Sequence, residues 1–202
     1  MKTSNHPQAS KRRAVSTVGR AIAAVRRRIE HRVVLRGARE QSRAAVEQAT
    51  GRRILVLCYG NIYRSPLVHH LLRHDPRLAD FSIESAGFYP LAGRPCDSRY
   101  LELLRRRGHD LQAHRSALVD RRRLAEADMV VIMDRRNWDL LRELDAAACR
   151  KVVWIGAFGA GGSVEVEDPY GKSESEVEAI IERLEGCAEE LAGWIAGGGA
   201  LK

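Results

Sequence analysis

Cys58-Tyr59-Gly60-Asn61-Ile62-Tyr63-Arg64-Ser65-Pro66 is the stretch on which the reading of this 202-residue chain turns. Before it, Arg53 to Leu57 reads Arg-Ile-Leu-Val-Leu, a short apolar run of the kind a buried strand uses. After it, Leu67, Val68, Leu71 and Leu72 fall at helical spacing, so the stretch is predicted to be a loop between a strand and a helix. Pro66 suits the first turn of that helix, where a missing N–H costs nothing. Ser65, just before it, is predicted to be the N-cap. Such a loop aims several backbone N–H groups at one point, and the helix dipole adds positive potential, which together make a nest for a phosphate dianion. Gly60 and Asn61 tolerate positive φ, so the backbone can curl. Arg64 can clamp two phosphate oxygens with its planar fork. Cys58, at the strand end under the same field, is cast as a thiolate nucleophile aimed at phosphorus.

Working outward, the strand-like and helix-like runs alternate. Strands are predicted at Arg53–Leu57, Phe81–Ala86, Met129–Met133 and Lys151–Ile155. Helices are predicted at Leu67–His74, Asp97–Arg107, Arg121–Ala127, from Asp134 through Leu144, and over Glu174–Ile195, with a loop at Gly156–Gly162. This alternation argues an α/β fold with a parallel sheet covered by helices on both faces. Ligands then bind at the carboxyl ends of the strands, where the Cys58 loop lies.

The charge is uneven. Residues 1–53 hold 14 basic and 3 acidic residues, so the net +8 of the chain leaves −3 for residues 54–202. Residues 1–16 read as polar and disordered. Val18, Ile22, Val25, Ile29 and Val33, with arginines between them, read as a basic amphipathic helix. Gly37 is expected to break it, with a second, Ala-rich helix over Ala38–Gln48. The expected organisation is a basic extension at 1–51, a catalytic domain at 52–197 and a tail at 198–202. Three roles are open for the extension: a solvated tail, peripheral contact of residues 16–35 with an anionic membrane, or docking on an acidic partner. Its composition also resembles a mitochondrial transit peptide. No apolar stretch reaches the roughly 20 residues of a membrane span, and no secretory signal core is present. Cys58, Cys96, Cys149 and Cys187 show no zinc-like spacing. A reduced, cytoplasmic setting suits them, and neither a metal nor a cofactor is expected.

The Cys58–Pro66 run resembles the phosphate loop of the low-molecular-weight protein tyrosine phosphatases. The resemblance extends from about Arg53 to about Ile195 and includes a second motif, Asp168-Pro169-Tyr170. It implies a four-stranded, flavodoxin-like sheet of order 2-1-3-4. It also implies hydrolysis of protein phosphotyrosine through a cysteinyl-phosphate on Cys58. The oxygens would be held by Arg64 and the backbone of Tyr59, Gly60, Asn61, Ile62, Tyr63 and Arg64. Asp168 would be the general acid, with Glu165 and Glu167 as weaker rivals. Ser65, donating to the thiolate, and Ser85 and His114, holding Asn61, match the family's supporting residues; His69, His70, His74 and His109 read as surface or helix residues. Tyr59, Phe88, Tyr89, Leu91 and Tyr170 are candidates for the wall around the phenyl ring.

Leu91-Ala92-Gly93 and Asp168-Pro169-Tyr170-Gly171-Lys172-Ser173 look like the bacterial, exopolysaccharide-associated members, which implies phosphotyrosine proteins, a tyrosine autokinase among them, as partners and no nucleic acid. Many members carry a second cysteine where Tyr63 stands, so a protective disulfide within the loop is missing. The related arginine phosphatases prefer Thr where Ile62 stands, which points here to phosphotyrosine. Arsenate reduction on this fold needs two cysteines that Asp128–Leu141 lacks. A phosphatase-fold scaffold acting through its N-terminal helix is the other alternative; the intact Cys58, Arg64 and Asp168 argue against it.

Overall fold

The computed structural model describes residues 17–160 and 162–199, with side chains described from 33 to 197 apart from 161. The expected disorder of residues 1–16 therefore lies outside the described residues, as do the side chains that would form the basic face of the first helix. The chain divides into two compact units, Met1–Val34 and Leu35–Lys202.

In the second unit, β1 (Arg53–Cys58), β2 (Ser82–Gly87), β3 (Met129–Ile132) and β4 (Val152–Trp154) form one parallel sheet of order β2-β1-β3-β4. Every residue of β3 and β4 is buried, and so is all of β1 after Arg53. Strands with no exposed position are covered on both faces, which is why they read as unbroken apolar runs and not as alternating ones. The connections are α2 (Arg64–His74), α3 (Ser98–Arg106), α4 (Arg121–Glu126) and α5 (Arg135–Leu144); α6 (Glu174–Trp194) follows β4. Asp97, Asp120 and Asp134 each accept a backbone N–H at a helix start, and Ser173 with Glu176 forms a full capping box for α6. The buried stripe of α6 includes Val177, Ile180, Ile181, Leu184, Ala188 and Leu191, the spacing read from the sequence. A one-turn 3-10 helix, Ile155–Ala157, occupies the start of the expected Gly156–Gly162 loop.

The N-terminal region differs from expectation. One helix, α1, runs from Thr17 to Gln48 and passes through Gly37 unbroken. A single interior Gly costs a helix only about 1 kcal/mol, less than the packing beyond it supplies. Ala38, Ser42, Ala45 and Val46 are buried. Ser42 Oγ accepts the Trp154 N–H at 2.9 Å, so α1 satisfies a backbone donor of edge strand β4. Gln41 donates to Cys149 O, and Arg39 donates to Ala157 O and Gly162 O, each at 2.8 to 2.9 Å. The boundary expected after residue 51 thus falls inside the packed unit, which begins at Leu35.

Candidate active site

β1 ends at Cys58, and α2 begins at Arg64, with the loop between them at the carboxyl edge of the sheet. Cys58 is 2% exposed. Its Sγ accepts the Asn61 N–H at 3.1 Å and the Ser65 hydroxyl at 3.0 Å. Two hydrogen-bond donors thus converge on that one sulfur. Ser65 lies in the first turn of α2, whose N-cap is Tyr63 with no side-chain cap. The expected N-cap role of Ser65 is therefore corrected: Ser65 already lies inside the helix, and its hydroxyl donates to the sulfur while its oxygen accepts from Asn61 Nδ2 and not from a helix N–H.

Asn61 is the described non-glycine residue with positive φ, 49°. Four contacts hold it there. Its Nδ2 donates to Ser65 Oγ at 2.9 Å and to Ser85 Oγ at 3.0 Å, and its Oδ1 accepts the Ala117 N–H at 2.8 Å. The His114 Nε2 donates to its carbonyl at 2.8 Å. Burial pushes the His114 imidazole down from its usual range, which keeps it a neutral donor. Gly87 makes this approach possible: a Cβ there would lie 2.8 Å from Tyr59 O and 2.9 Å from Asn61 N.

Arg64 is 1% exposed and ties the loop to the end of β3 and to the segment before α6. Its Nη1 donates to Asp134 Oδ2 at 2.5 Å and Val166 O at 2.9 Å, and its Nη2 donates to Asp168 Oδ2 at 2.6 Å. Burial alone would lower the guanidinium pKa; the Cys58 sulfur, Asp134 and Asp168 outweigh it and the net direction is up. A buried cation with two carboxylates is a firmly charged clamp. Its Nε is buried and finds no acceptor among the described residues.

Sequence reading placed Asp134 only at the start of a helix; the structure makes it both the cap of that helix and a partner of Arg64, with Oδ1 on the Asn137 N–H and Oδ2 on Arg64. Its place at the end of β3, the strand beside β1, is the signal that could have found it. Glu165 accepts the Arg135 N–H and Glu167 pairs with Lys172, while Asp168 faces Arg64.

A cleft of about 390 Å³ opens over Cys58 and Arg64. Tyr59, Tyr89 and Tyr170 of the expected wall line it; Phe88 and Leu91 lie outside its lining. Ile62, Tyr63, Arg94 and Arg136 line it as well, and both arginines went unnoticed in the sequence. Arg94 stacks over Tyr89 with its Cζ 4.2 Å from the ring centre and donates to Gly60 O at 2.5 Å, bracing the loop from outside. The Tyr63 ring stands edge-on to Tyr100 at 5.1 Å, and burial, then Asp97, pushes its phenol up to about 12. Among the described residues no cluster of three or more His, Cys, Asp or Glu is arranged to hold a metal ion. No helix among them is long and apolar enough to cross a membrane.

A buried cysteine cradled by an Arg-closed loop, with an aspartate facing the same arginine from the segment before α6, is the arrangement a cysteine-based phosphate-handling site would need. Residues 53–198 match the model of the low molecular weight phosphotyrosine protein phosphatase family, and the chain belongs to that family. It is 32% identical over 140 residues to the low molecular weight protein-tyrosine-phosphatase Wzb of Escherichia coli K12, covering 69% of this chain and 92% of that one. The crystal structure of Wzb from Escherichia coli K30 with sulphate superposes with a TM-score of 0.65 at 26% identity, covering 70% of this chain and 96% of the other. The YwlE arginine phosphatase of Geobacillus stearothermophilus matches with a TM-score of 0.64 at 26% identity, covering 71% and 92%.

Proposed function

We propose that the protein hydrolyses protein phosphotyrosine in two steps through Cys58. In the first, the sulfur attacks phosphorus, an S–P bond forms, the P–O bond to tyrosine breaks, and Asp168 gives its proton to the leaving oxygen. In the second, water attacks phosphorus, the S–P bond breaks, Asp168 takes the water's proton, and inorganic phosphate leaves. Backbone N–H groups from Tyr59 to Arg64 and the Arg64 fork hold the equatorial oxygens. The observation that carries this reading is the Arg64 contact set. The Nη1 is spent on Asp134 and Val166, whereas Nε is unspent and Nη2 rests on Asp168. Phosphoryl oxygens arriving at the Nε–Nη2 edge displace Asp168 and leave it beside the leaving oxygen.

Tyrosine over arginine as the phosphorylated residue is supported by the lining of the cleft. Tyr59, Tyr89 and Tyr170 offer ring faces and edges to a phenyl group, and Ile62 adds an apolar side chain. The opposing reaction would be that of a bacterial tyrosine kinase of polysaccharide export, in a reducing cytoplasm that suits four free cysteines. The test is turnover of matched phosphotyrosine and phosphoarginine peptides. Release of phosphate from the first and not the second supports the proposal; the reverse preference overturns it.

A further inference from the structure

Arg136 breaks two local rules. It is the second residue of α5, whose first turn carries Arg135 and Arg136 and no acid, the wrong sign for a helix N-terminus. Arg135 is compensated by Asp139, 2.9 Å away. Arg136 has no carboxylate within ion-pairing distance among the described residues. Its guanidinium instead lies over the Tyr59 ring, Cζ 3.4 Å from the centroid, at the mouth of the cleft. Tyr59 in turn stands edge-on to Tyr89 at 5.8 Å, and Tyr89 stacks on Arg94. The other cations nearby are already engaged: Arg94 on Gly60 O and Leu91 O, Lys172 on Glu167. Arg136 is exposed, and among the described residues its guanidinium makes no hydrogen bond. A charge set against the dipole, with a ring beneath it but no carboxylate beside it, is the kind of broken local rule that functional sites carry.

We propose that Arg136 is a specificity-determining residue: it receives an anionic group of the substrate peptide next to the phosphotyrosine. This rests on the phosphotyrosine reading above and adds the substrate class, a phosphotyrosine with an acidic side chain or a second phosphate beside it. The backbone under Arg136 is fixed. Asp134 caps α5 while pairing with Arg64, and Asn137 Oδ1 accepts the Met133 N–H at 3.1 Å. The cation therefore sits at a set distance from the phosphate clamp. Stacking on Tyr59 holds the guanidinium flat and leaves its N–H edge for a carboxylate or phosphate.

The test is kcat/KM on three phosphotyrosine peptides that differ only beside the phosphotyrosine: neutral, acidic, or bearing a second phosphotyrosine. They are measured in the full chain, in Arg136→Gln and in Arg136→Glu. In the unaltered protein at least one anionic peptide is expected to be favoured over the neutral one by roughly three- to fivefold, the margin shrinking with added salt. Which anionic peptide gains more identifies the source of the anion. In Arg136→Gln the anionic-to-neutral ratio should fall to near one, and in Arg136→Glu below one, whatever happens to the rates common to all peptides. A ratio near one in the unaltered protein, or an unchanged ratio in Arg136→Gln, overturns the subsite while leaving the phosphatase reading standing. No turnover of any of the three by the unaltered protein overturns the phosphatase reading and the subsite with it.

Discussion

Arg64 Nη2 and Asp168 Oδ2 lie 2.6 Å apart, joining the candidate phosphate clamp to the candidate acid across 104 residues of sequence. Asp168 is 40% exposed and Arg64 1%, so the carboxylate is the partner free to move. Asp168→Asn should therefore leave phosphate binding largely intact and slow cleavage by about 10²–10⁴-fold on phosphotyrosine, whose leaving oxygen is basic. The loss should be much smaller on an aryl phosphate with an acidic leaving group. Equal losses on both would mean that Asp168 only orders its loop.

Oxidation offers a second check. Tyr63 stands where a protective cysteine would sit, and Cys96, Cys149 and Cys187 are all free. Burial pushes the Cys96 thiol up to about 12, so it is a poor attacker of an oxidised Cys58. Peroxide should carry Cys58 to sulfinic and sulfonic acid. Mass spectrometry of the Cys58 peptide reads the outcome, and a Cys58 disulfide as the main product would contradict this.

The second half of α1 should be needed for stability. A chain beginning at Leu35 should keep the denaturation midpoint of its Leu35–Lys202 unit, whereas one beginning at Ala49 should lose stability, because it exposes the β4 edge and strips Trp154 N–H of its acceptor. Ser42→Ala isolates that donor and should cost about 1–3 kcal/mol. An unchanged denaturation midpoint in Ser42→Ala would show that the bond is idle.

Stability should also fall in mild acid. Burial pushes the His69 imidazole on α2 down to about 4, from an ordinary value near 6.5. Between those values the unfolded chain binds more protons than the folded one, so this contribution is complete above pH 6.5 and is lost as pH falls towards 4, by roughly 3 kcal/mol. His69→Gln should flatten that part of the profile of unfolding free energy against pH; a profile as steep as that of the unaltered protein would assign the slope to other groups.

The strand–loop–helix around Cys58 and the sheet order were legible because each is a local pattern or a family motif. Asn61 with Ser85 and His114 could be matched because motifs mark them, although the contacts span 24 and 53 residues. What escaped reading is long-range. The place of Asp134 at a strand end points to the sheet edge but not to Arg64 in particular, and Arg94 and Arg136 look like any solvated arginine until the tyrosines beneath them are in place. The continuity of α1 through Gly37 was missed because Gly37 and an Ala-rich run carry little apolar signal. Small residues are what a helix needs to approach a strand edge closely, but composition alone reads the same in a loose helix.

The most direct measurement is rapid acid quench of the protein turning over a phosphotyrosine peptide, followed by mass analysis of the Cys58 peptide. The account predicts one phosphoryl group on Cys58 during turnover, and neither that adduct nor product release in Cys58→Ser. Sustained phosphate release by Cys58→Ser, or a phosphoryl group on any other residue, would contradict it.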